Sequence, residues 1–129
     1  MSLTTVLLID DDRDDRELFS EVFEEIDPAI QCITQGNCVD AVAYLKHNPT
    51  PDFIFLDLNM PAINGLQCLI MIKKQPSLQE TPVIIYSTSK NPEDIELTKK
   101  MGGTLFLTKP GHLKELKDEL LSIVRRYQV

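Results

Sequence analysis

Reactive side chains follow four short apolar runs of this sequence, each at the position where the run stops. They are Asp10, Asp11 and Asp12 after the first run, Asp57 after the second, Ser87 and Thr88 after the third, and Lys109 after the fourth. A carboxylate can act as the nucleophile that takes up a phosphoryl group. A hydroxyl and a lysine ammonium can bind the oxygens of that group. These residue types therefore indicate phosphoryl chemistry, if the fold brings the four run ends together.

The acids among these residues also predict a metal site. Three or four carboxylates that lie close together repel one another unless a cation neutralises them or some are protonated. A hard divalent ion such as Mg²⁺, or Mn²⁺, suits a cluster of carboxylate oxygens. Mg²⁺ also keeps bound waters that a phosphate oxygen can replace.

The apolar runs have the character of buried strands, and helical patterns separate them. Residues 53–56 and 83–86 are apolar without alternation, which is typical of strands covered on both faces of a parallel sheet. Between the first two strands, residues such as Leu18, Val22 and Phe23 recur at the spacing of one helical stripe. The elements that must position the reactive groups are therefore alternating strands and helices.

Five strands alternate with five helices in the predicted order. Strands are predicted at about residues 4–9, 30–34, 53–56, 83–86 and 105–107, and helices at about 13–25, 38–47, 65–74, 92–101 and 113–127. This alternation implies parallel strands joined by right-handed crossovers. We predict a flavodoxin-like doubly wound α/β fold, with strand order 2-1-3-4-5 and a single domain over residues 1–129. In the second helix we expect Val39, Val42 and Ala43 to face inward.

The carboxyl ends of parallel strands lie at one edge of the sheet, so the reactive groups become neighbours in this fold. Each of them alone has a structural explanation. Asp57 could begin a turn, Asp10 to Asp12 could cap a helix, and Lys109 could be a solvated surface residue. Their joint occurrence at four strand ends favours a functional site.

Charge and composition exclude several classes of protein. The 129 residues carry a net charge of −7, and no run of Lys or Arg exceeds two residues, so direct nucleic-acid binding is not expected. The apolar run at residues 6–9 is too short for a signal peptide or a membrane span, which favours a cytoplasmic protein. The three cysteines, Cys32, Cys38 and Cys68, indicate neither a disulfide framework nor a zinc site. We expect them to be small buried or half-buried apolar residues.

The sequence resembles the receiver domain of two-component response regulators over nearly its whole length. The matching segments are residues 6–12, residues 55–61, Asn64-Gly65, Ser87 and residues 108–110. The resemblance is strongest to CheY-like regulators that consist of one domain. It implies a protein that accepts a phosphoryl group from a histidine kinase or phosphotransfer protein in a Mg²⁺-dependent reaction.

The resemblance also implies a role for each site residue. Asp57 would be the phosphoryl acceptor. The metal would be held by Asp10, Asp11, Asp57 and the backbone carbonyl of Asn59. Phosphoryl oxygens would be bound by Ser87, the backbone N–H of Thr88 and Lys109. Asp12 would cap the first helix, and the bond between Lys109 and Pro110 would be cis.

Signalling would follow from a change of conformation after phosphorylation. The resemblance implies that Ser87 and Phe106 act as the switch and that the surface from Asn91 to Lys117 meets the output partner. With no output domain expected after the fifth helix, the output would be altered partner binding or self-association as a homodimer. The protein would not be a conventional enzyme, because it would catalyse only its own phosphorylation and slow autodephosphorylation.

Three alternatives remain open at this point. A degenerate receiver could act as a binding module alone. A haloacid-dehalogenase-like phosphatase also uses a strand-end Asp with Mg²⁺, but that family has a second Asp where this chain has Asn59, and it carries a cap domain. An FMN-binding flavodoxin needs a hydroxyl-rich phosphate loop after the first strand, where Asp10 to Asp12 would repel the phosphate.

Overall fold

The computed structural model describes residues 4–127, in which strands and helices alternate as predicted. The elements are β1 (Thr5–Ile9), α1 (Arg13–Ile26), β2 (Gln31–Gln35), α2 (Cys38–His47), β3 (Phe53–Leu56), α3 (Gly65–Lys73), a short 3-10 helix (Pro76–Leu78), β4 (Val83–Ser87), α4 (Pro92–Lys100), β5 (Leu105–Thr108) and α5 (Leu113–Tyr127). No end of a strand or α-helix differs from the predicted one by more than one residue, and α2, β3 and α5 match their predicted bounds. Within these described residues, no helix combines the length and the apolar composition needed to cross a bilayer.

The five strands form one parallel sheet in the order β2-β1-β3-β4-β5, which confirms the predicted fold. β3 is the central strand, with Leu56 opposite Ile9 of β1 and next to Ile85 of β4. Hydrogen bonding between the strands continues one residue past the end of β3, where the Asp57 N–H donates to the Ile9 carbonyl at 2.9 Å. The carboxyl ends of β1, β3, β4 and β5 therefore lie together at one edge.

Two apolar layers cover the sheet. Phe53 and Phe55 point to the layer made with α1 and α5, which is rich in aromatic rings and includes Phe19. Ile54 and Leu56 point to the opposite layer, made largely with α2 and α3, which is almost entirely aliphatic. Burial on both faces explains why β3 is apolar at every position.

Asn or Asp caps the start of four helices. Asp12 caps α1 by accepting from the Asp15 N–H at 3.1 Å, as predicted. Asn37 caps α2, Asn91 caps α4, and Asn64 caps α3 in a capping box with Gln67. These caps fix where each helix leaves the carboxyl edge of the sheet.

The predicted inward face of α2 is wrong in part. Val39 is 64% exposed and Ala43 is exposed, whereas Val42 is half-buried. The residues that face the sheet are Cys38, Ala41 and Leu45. Apolar residues lie around much of the circumference of α2, so the sequence pattern does not single out one face. Packing against α3 and the sheet decides which face is buried.

The expectation of unpaired cysteines is also wrong. Cys38 at the start of α2 forms a disulfide with Cys68 in α3, and the Cα atoms are 5.8 Å apart. Both residues are buried in the aliphatic layer, where the two helices approach each other. Cys32 is a free thiol, half-buried, and it accepts a hydrogen bond from the Ser20 hydroxyl at 3.7 Å. The pairing is invisible in the sequence because the two cysteines are 30 positions apart.

Candidate functional site

Asp10, Asp11 and Asp57 form an acidic cluster at the carboxyl edge. Each contributes one carboxylate oxygen, and these oxygens all lie within 4.8 Å of one another. Asp10 is fully buried and Asp57 is 4% exposed, whereas Asp11 is exposed to solvent. The predicted convergence of the ends of β1 and β3 is therefore present in the fold.

The cluster carries negative charge that nearby cations do not fully offset. Burial raises the pKa of Asp57 to about 6, the Lys109 ammonium works in the opposite direction, and the Asp10 carboxylate raises the pKa further. A set of hard carboxylate oxygens in such a position fits a divalent metal ion. The exposed Asp11 carboxylate leaves the cluster open to solvent on one side.

Lys109 extends into the site from the end of β5. Its Nζ lies 2.8 Å from Asp10 Oδ2, 2.8 Å from Asp15 Oδ2 and 3.8 Å from Asp57 Oδ2. Burial acts to lower the pKa of this ammonium, but hydrogen bonds to Asp10 and Asp15 outweigh it and raise the pKa above its ordinary value. The Tyr86 ring lies on another side, with its centroid 5.1 Å from Nζ. Lys109 is thus a permanent cation of the site.

The backbone of Lys109 is tied to β4, and the bond that follows it is not cis. The Lys109 N–H donates to the Ser87 carbonyl at 2.7 Å, which joins the ends of β4 and β5. Among residues 4–127 no peptide bond is cis, so the expected cis bond before Pro110 is wrong. Trans is the intrinsically favoured form even for bonds that precede proline.

Ser87 and Asn59 connect the acidic cluster to β4. The Asn59 N–H donates to Asp57 Oδ1 at 3.3 Å, and the Asn59 side-chain amide donates to Ser87 Oγ at 3.5 Å. Ser87 is fully buried, and its Oγ also accepts from the Ser89 N–H at 3.3 Å. Thr88 is exposed beside it. Asn59 therefore bridges the Asp57 carboxylate and the Ser87 hydroxyl.

Phe106 lies on β5 opposite Ile85 of β4. Its ring is half-buried and packs against the aliphatic layer. The ring belongs to the face of the sheet opposite the one that holds Phe19 and Phe55. Its expected part in switching stays a prediction.

Gly65 leaves the space in which the loop after β3 folds back. A Cβ at this position would collide with the backbone carbonyl of Asp57. The Gly65 N–H donates to the Leu58 carbonyl at 2.9 Å. Glycine is therefore required for the close approach of α3 to the strand end that carries Asp57.

Three residues in contact with the site were not predicted from the sequence. They are Asp15 and Tyr86, which contact Lys109, and Arg16, whose Nη1 donates to the Asp10 carbonyl at 2.8 Å. None of them follows a strand, so the strand-end pattern does not include them. The sequence could have predicted Asp15, because it lies three residues after the cap Asp12 and therefore on the same face of α1 as the acidic run.

A model of the response regulator receiver domain matches residues 6–121 of the chain. Response regulator Rcp1 of Synechocystis sp. is 32% identical over 117 residues, which are 86% of this chain and 80% of Rcp1. The probable C4-dicarboxylate response regulator DctR of Bacillus subtilis is 31% identical over 115 residues, but these are only 50% of DctR.

Solved structures give the same result. The phosphorylated cyanobacterial phytochrome response regulator RcpA superposes with a TM-score of 0.89 at 28% identity, covering 98% of this chain and 94% of RcpA. The Mn²⁺-bound form of Rcp1 superposes with a TM-score of 0.82 at 30% identity, covering 98% of this chain and 96% of that one.

Proposed function

The chain belongs to the response regulator receiver domain family, and we propose that Asp57 is the residue that takes up the phosphoryl group. The protein functions as a phosphoryl-accepting response regulator. The observation that carries the assignment of Asp57 is its position. It is a nearly buried carboxylate at the end of the central strand, clustered with Asp10 and Asp11 and 3.8 Å from the Lys109 ammonium.

Uptake is a transfer of the phosphoryl group to a carboxylate oxygen of Asp57. That oxygen forms a bond to phosphorus while the bond between phosphorus and the donor breaks. The electron pair of the broken bond leaves with the donor atom, which is a ring nitrogen of phosphohistidine or the acyl oxygen of a small donor such as acetyl phosphate. The product is an acyl phosphate on Asp57. Because Asp57 must attack as a carboxylate, its raised pKa favours neutral or alkaline pH for the reaction.

Groups around Asp57 stabilise the charge on the transferring oxygens. Lys109 supplies a permanent positive charge, and the Ser87 hydroxyl and the Thr88 N–H supply hydrogen-bond donors. Asn59 holds Ser87 near Asp57, because its side-chain amide donates to Ser87 Oγ and its backbone N–H donates to Asp57 Oδ1.

Asp10, Asp11, Asp57 and the Asn59 carbonyl would hold Mg²⁺ or Mn²⁺. The Mn²⁺-bound form of Rcp1 supports this part of the proposal. When bound, the ion supplies positive charge beside the phosphoryl group. The residues themselves contribute a nucleophile, two further acidic ligands and an exposed side through Asp11.

The phosphoryl donor in the cell would be a sensor histidine kinase or a phosphotransfer protein, in the cytoplasm. The signal would pass to a partner, or to a second copy of the chain, through residues 91–117. This surface carries partly exposed apolar side chains suited to protein contact: Ile95, Leu97, Met101 and Leu113. Ser87 and Phe106 would couple the site to this surface by changing conformation when Asp57 is phosphorylated.

Asp57→Asn tests the assignment directly. We expect the wild type, incubated with acetyl phosphate and Mg²⁺, to gain the mass of one phosphoryl group, and the variant to gain none. Asp52→Asn is the matched control, because Asp52 lies at the other end of β3 and caps the Thr5 N–H at 2.8 Å. Equal labelling of Asp57→Asn would falsify the assignment, and an unlabelled wild type would favour the degenerate receiver.

The same samples test the switch. On phosphorylation, amide NMR shifts should change in residues 91–117 as well as at the acidic cluster. Changes confined to the cluster would contradict a switch through Ser87 and Phe106.

A further inference from the structure

The Lys109 ammonium is held on the α1 side of the site and not against Asp57. Its 2.8 Å contacts to Asp10 and Asp15 are charge-assisted hydrogen bonds at full strength. Its 3.8 Å separation from Asp57 Oδ2 is longer than a hydrogen bond. In this arrangement Lys109 binds two carboxylates other than the proposed acceptor.

Helix α1 places Asp15 for this contact. Asp15 is the third residue of α1, and its N–H donates to the capping carboxylate of Asp12 at 3.1 Å, which fixes the first turn. The Asp15 side chain is 37% exposed, whereas that of Asp10 is fully buried. Asp15 therefore contacts the ammonium from the solvent side and lies outside the cluster proposed to bind metal.

The ring of Tyr86 forms a wall beside the ammonium. Tyr86 is 4% exposed and packs on Phe19 of α1, with ring centroids 5.6 Å apart. Its face lies 5.1 Å from Lys109 Nζ, a distance at which a ring attracts a cation. Asp10, Asp15 and Tyr86 thus surround Lys109 on three sides.

We propose that Asp15 is a positioning residue that holds Lys109 back from Asp57 and so slows the uptake of the phosphoryl group. The inference rests on the function proposed above for Asp57 and Lys109. A lysine ammonium has three N–H donors, and Asp10 and Asp15 occupy two of them. The third is free to serve Asp57, but Nζ lies 3.8 Å from Asp57 Oδ2, and a movement of Nζ towards that side lengthens the bond to Asp15. Asp15 and the transferring phosphoryl group therefore compete for one cation.

Asp15→Asn tests the competition, because it removes the charge and keeps the shape. We expect uptake from acetyl phosphate at saturating Mg²⁺ to become about two- to fivefold faster, since a partly exposed ion pair contributes modestly. The matched control is Asp14→Asn, which removes the same charge from the same turn at an exposed residue. We expect it to match the wild type. Asp15→Glu, which keeps the charge, should restore the slow rate.

A crystal structure of Asp15→Asn provides a second, independent readout. The distance from Lys109 Nζ to Asp57 Oδ2 should fall below the 3.8 Å of the wild type. A purely structural role for Asp15 would lower the unfolding temperature without shortening this distance or raising the rate.

The outcomes separate the inference from the proposed function. If the wild type takes up a phosphoryl group on Asp57 but Asp15→Asn is no faster than Asp14→Asn, the positioning role is overturned. If the wild type takes up none, the proposed function fails, and the position of Lys109 in the variant crystal still decides whether Asp15 restrains it.

Discussion

Lys73 and Lys109 are both partly buried, and their ammoniums are held in different ways. Lys109 contacts the carboxylates of Asp10 and Asp15. Lys73, in α3, donates to three backbone carbonyls after its helix: Leu78 at 3.2 Å, Gln79 at 3.2 Å and Thr81 at 2.7 Å. One lysine is held by charged side chains and the other by backbone dipoles.

The pKa of each lysine reflects this difference. At Lys73, burial lowers the pKa, and Glu80 opposes the shift only in part. At Lys109, burial acts in the same direction, but hydrogen bonds to Asp10 and Asp15 raise the pKa. Carbonyls fixed in a backbone hold an ammonium in one place. An ammonium held by side-chain carboxylates can leave one of them to bind another anion. Lys73 therefore closes a loop, whereas Lys109 is available for chemistry.

The largest expected effect is on phosphoryl uptake. Lys109→Met should slow uptake from acetyl phosphate about 100-fold or more, because it removes a cation positioned at the developing charge. Lys73→Met should leave the rate unchanged, since its ammonium lies among the carbonyls that follow α3. Intact mass measured over time gives both rates. Similar losses in the two variants would break the distinction between the lysines.

The next prediction concerns the Asp57 carboxylate, whose pKa burial raises despite the nearby Lys109 ammonium. The pKa of Asp57 is about 6 in the fold and 3.8 when unperturbed, so the folded state binds its proton more tightly than the unfolded state. In EDTA the wild type should therefore lose stability as the pH rises from about 4 to about 6, and no more above that range. Asp57→Asn lacks this cost and should be more stable by about 2–3 kcal/mol at pH 7.

Chemical denaturation of both proteins across this pH range measures the difference. The advantage of Asp57→Asn should shrink as the pH falls and vanish below about pH 3, where Asp57 is protonated in both states. A stability difference between the two proteins that does not change with pH would contradict the raised pKa of Asp57. Lys109 would then neutralise the acidic cluster fully.

The smallest expected effect is on stability at Lys73. Lys73→Met should lower the free energy of unfolding by about 1–2 kcal/mol, because three carbonyls lose their donor. Lys74→Met is the matched control at the adjacent exposed lysine, and it should change stability by less than about 0.5 kcal/mol. Urea denaturation at pH 7 compares them. Equal effects would mean that the carbonyl contacts of Lys73 carry no stability.

Much of the fold was predictable because its signals are local. The unbroken apolar run at residues 53–56 and the helical stripes on either side indicate a strand and helices without any distant residue. The cap at Asp12 and the helix start at Asn91 are equally local. In α2 the local pattern was ambiguous, and the packing of Ala41 and Leu45 decided its inward face.

The candidate site was predictable for a different reason. Parallel strands bring their carboxyl ends to one edge, so Asp10, Asp57, Ser87 and Lys109 meet whatever the details of packing. The partners of these residues do not follow from that rule. Asp15 lies 94 positions from Lys109, and no spacing in the sequence relates them.

The order of the elements, the sheet and the acidic edge follow from the amino-acid sequence, because hydrophobic periodicity and strand direction are properties of short segments. The pairing of Cys38 with Cys68 and the position of Lys109 between Asp10 and Asp15 follow only from the tertiary structure. The two side-chain pairings depend on distances of a few ångströms between distant segments. Such distances are set when whole helices pack on the sheet.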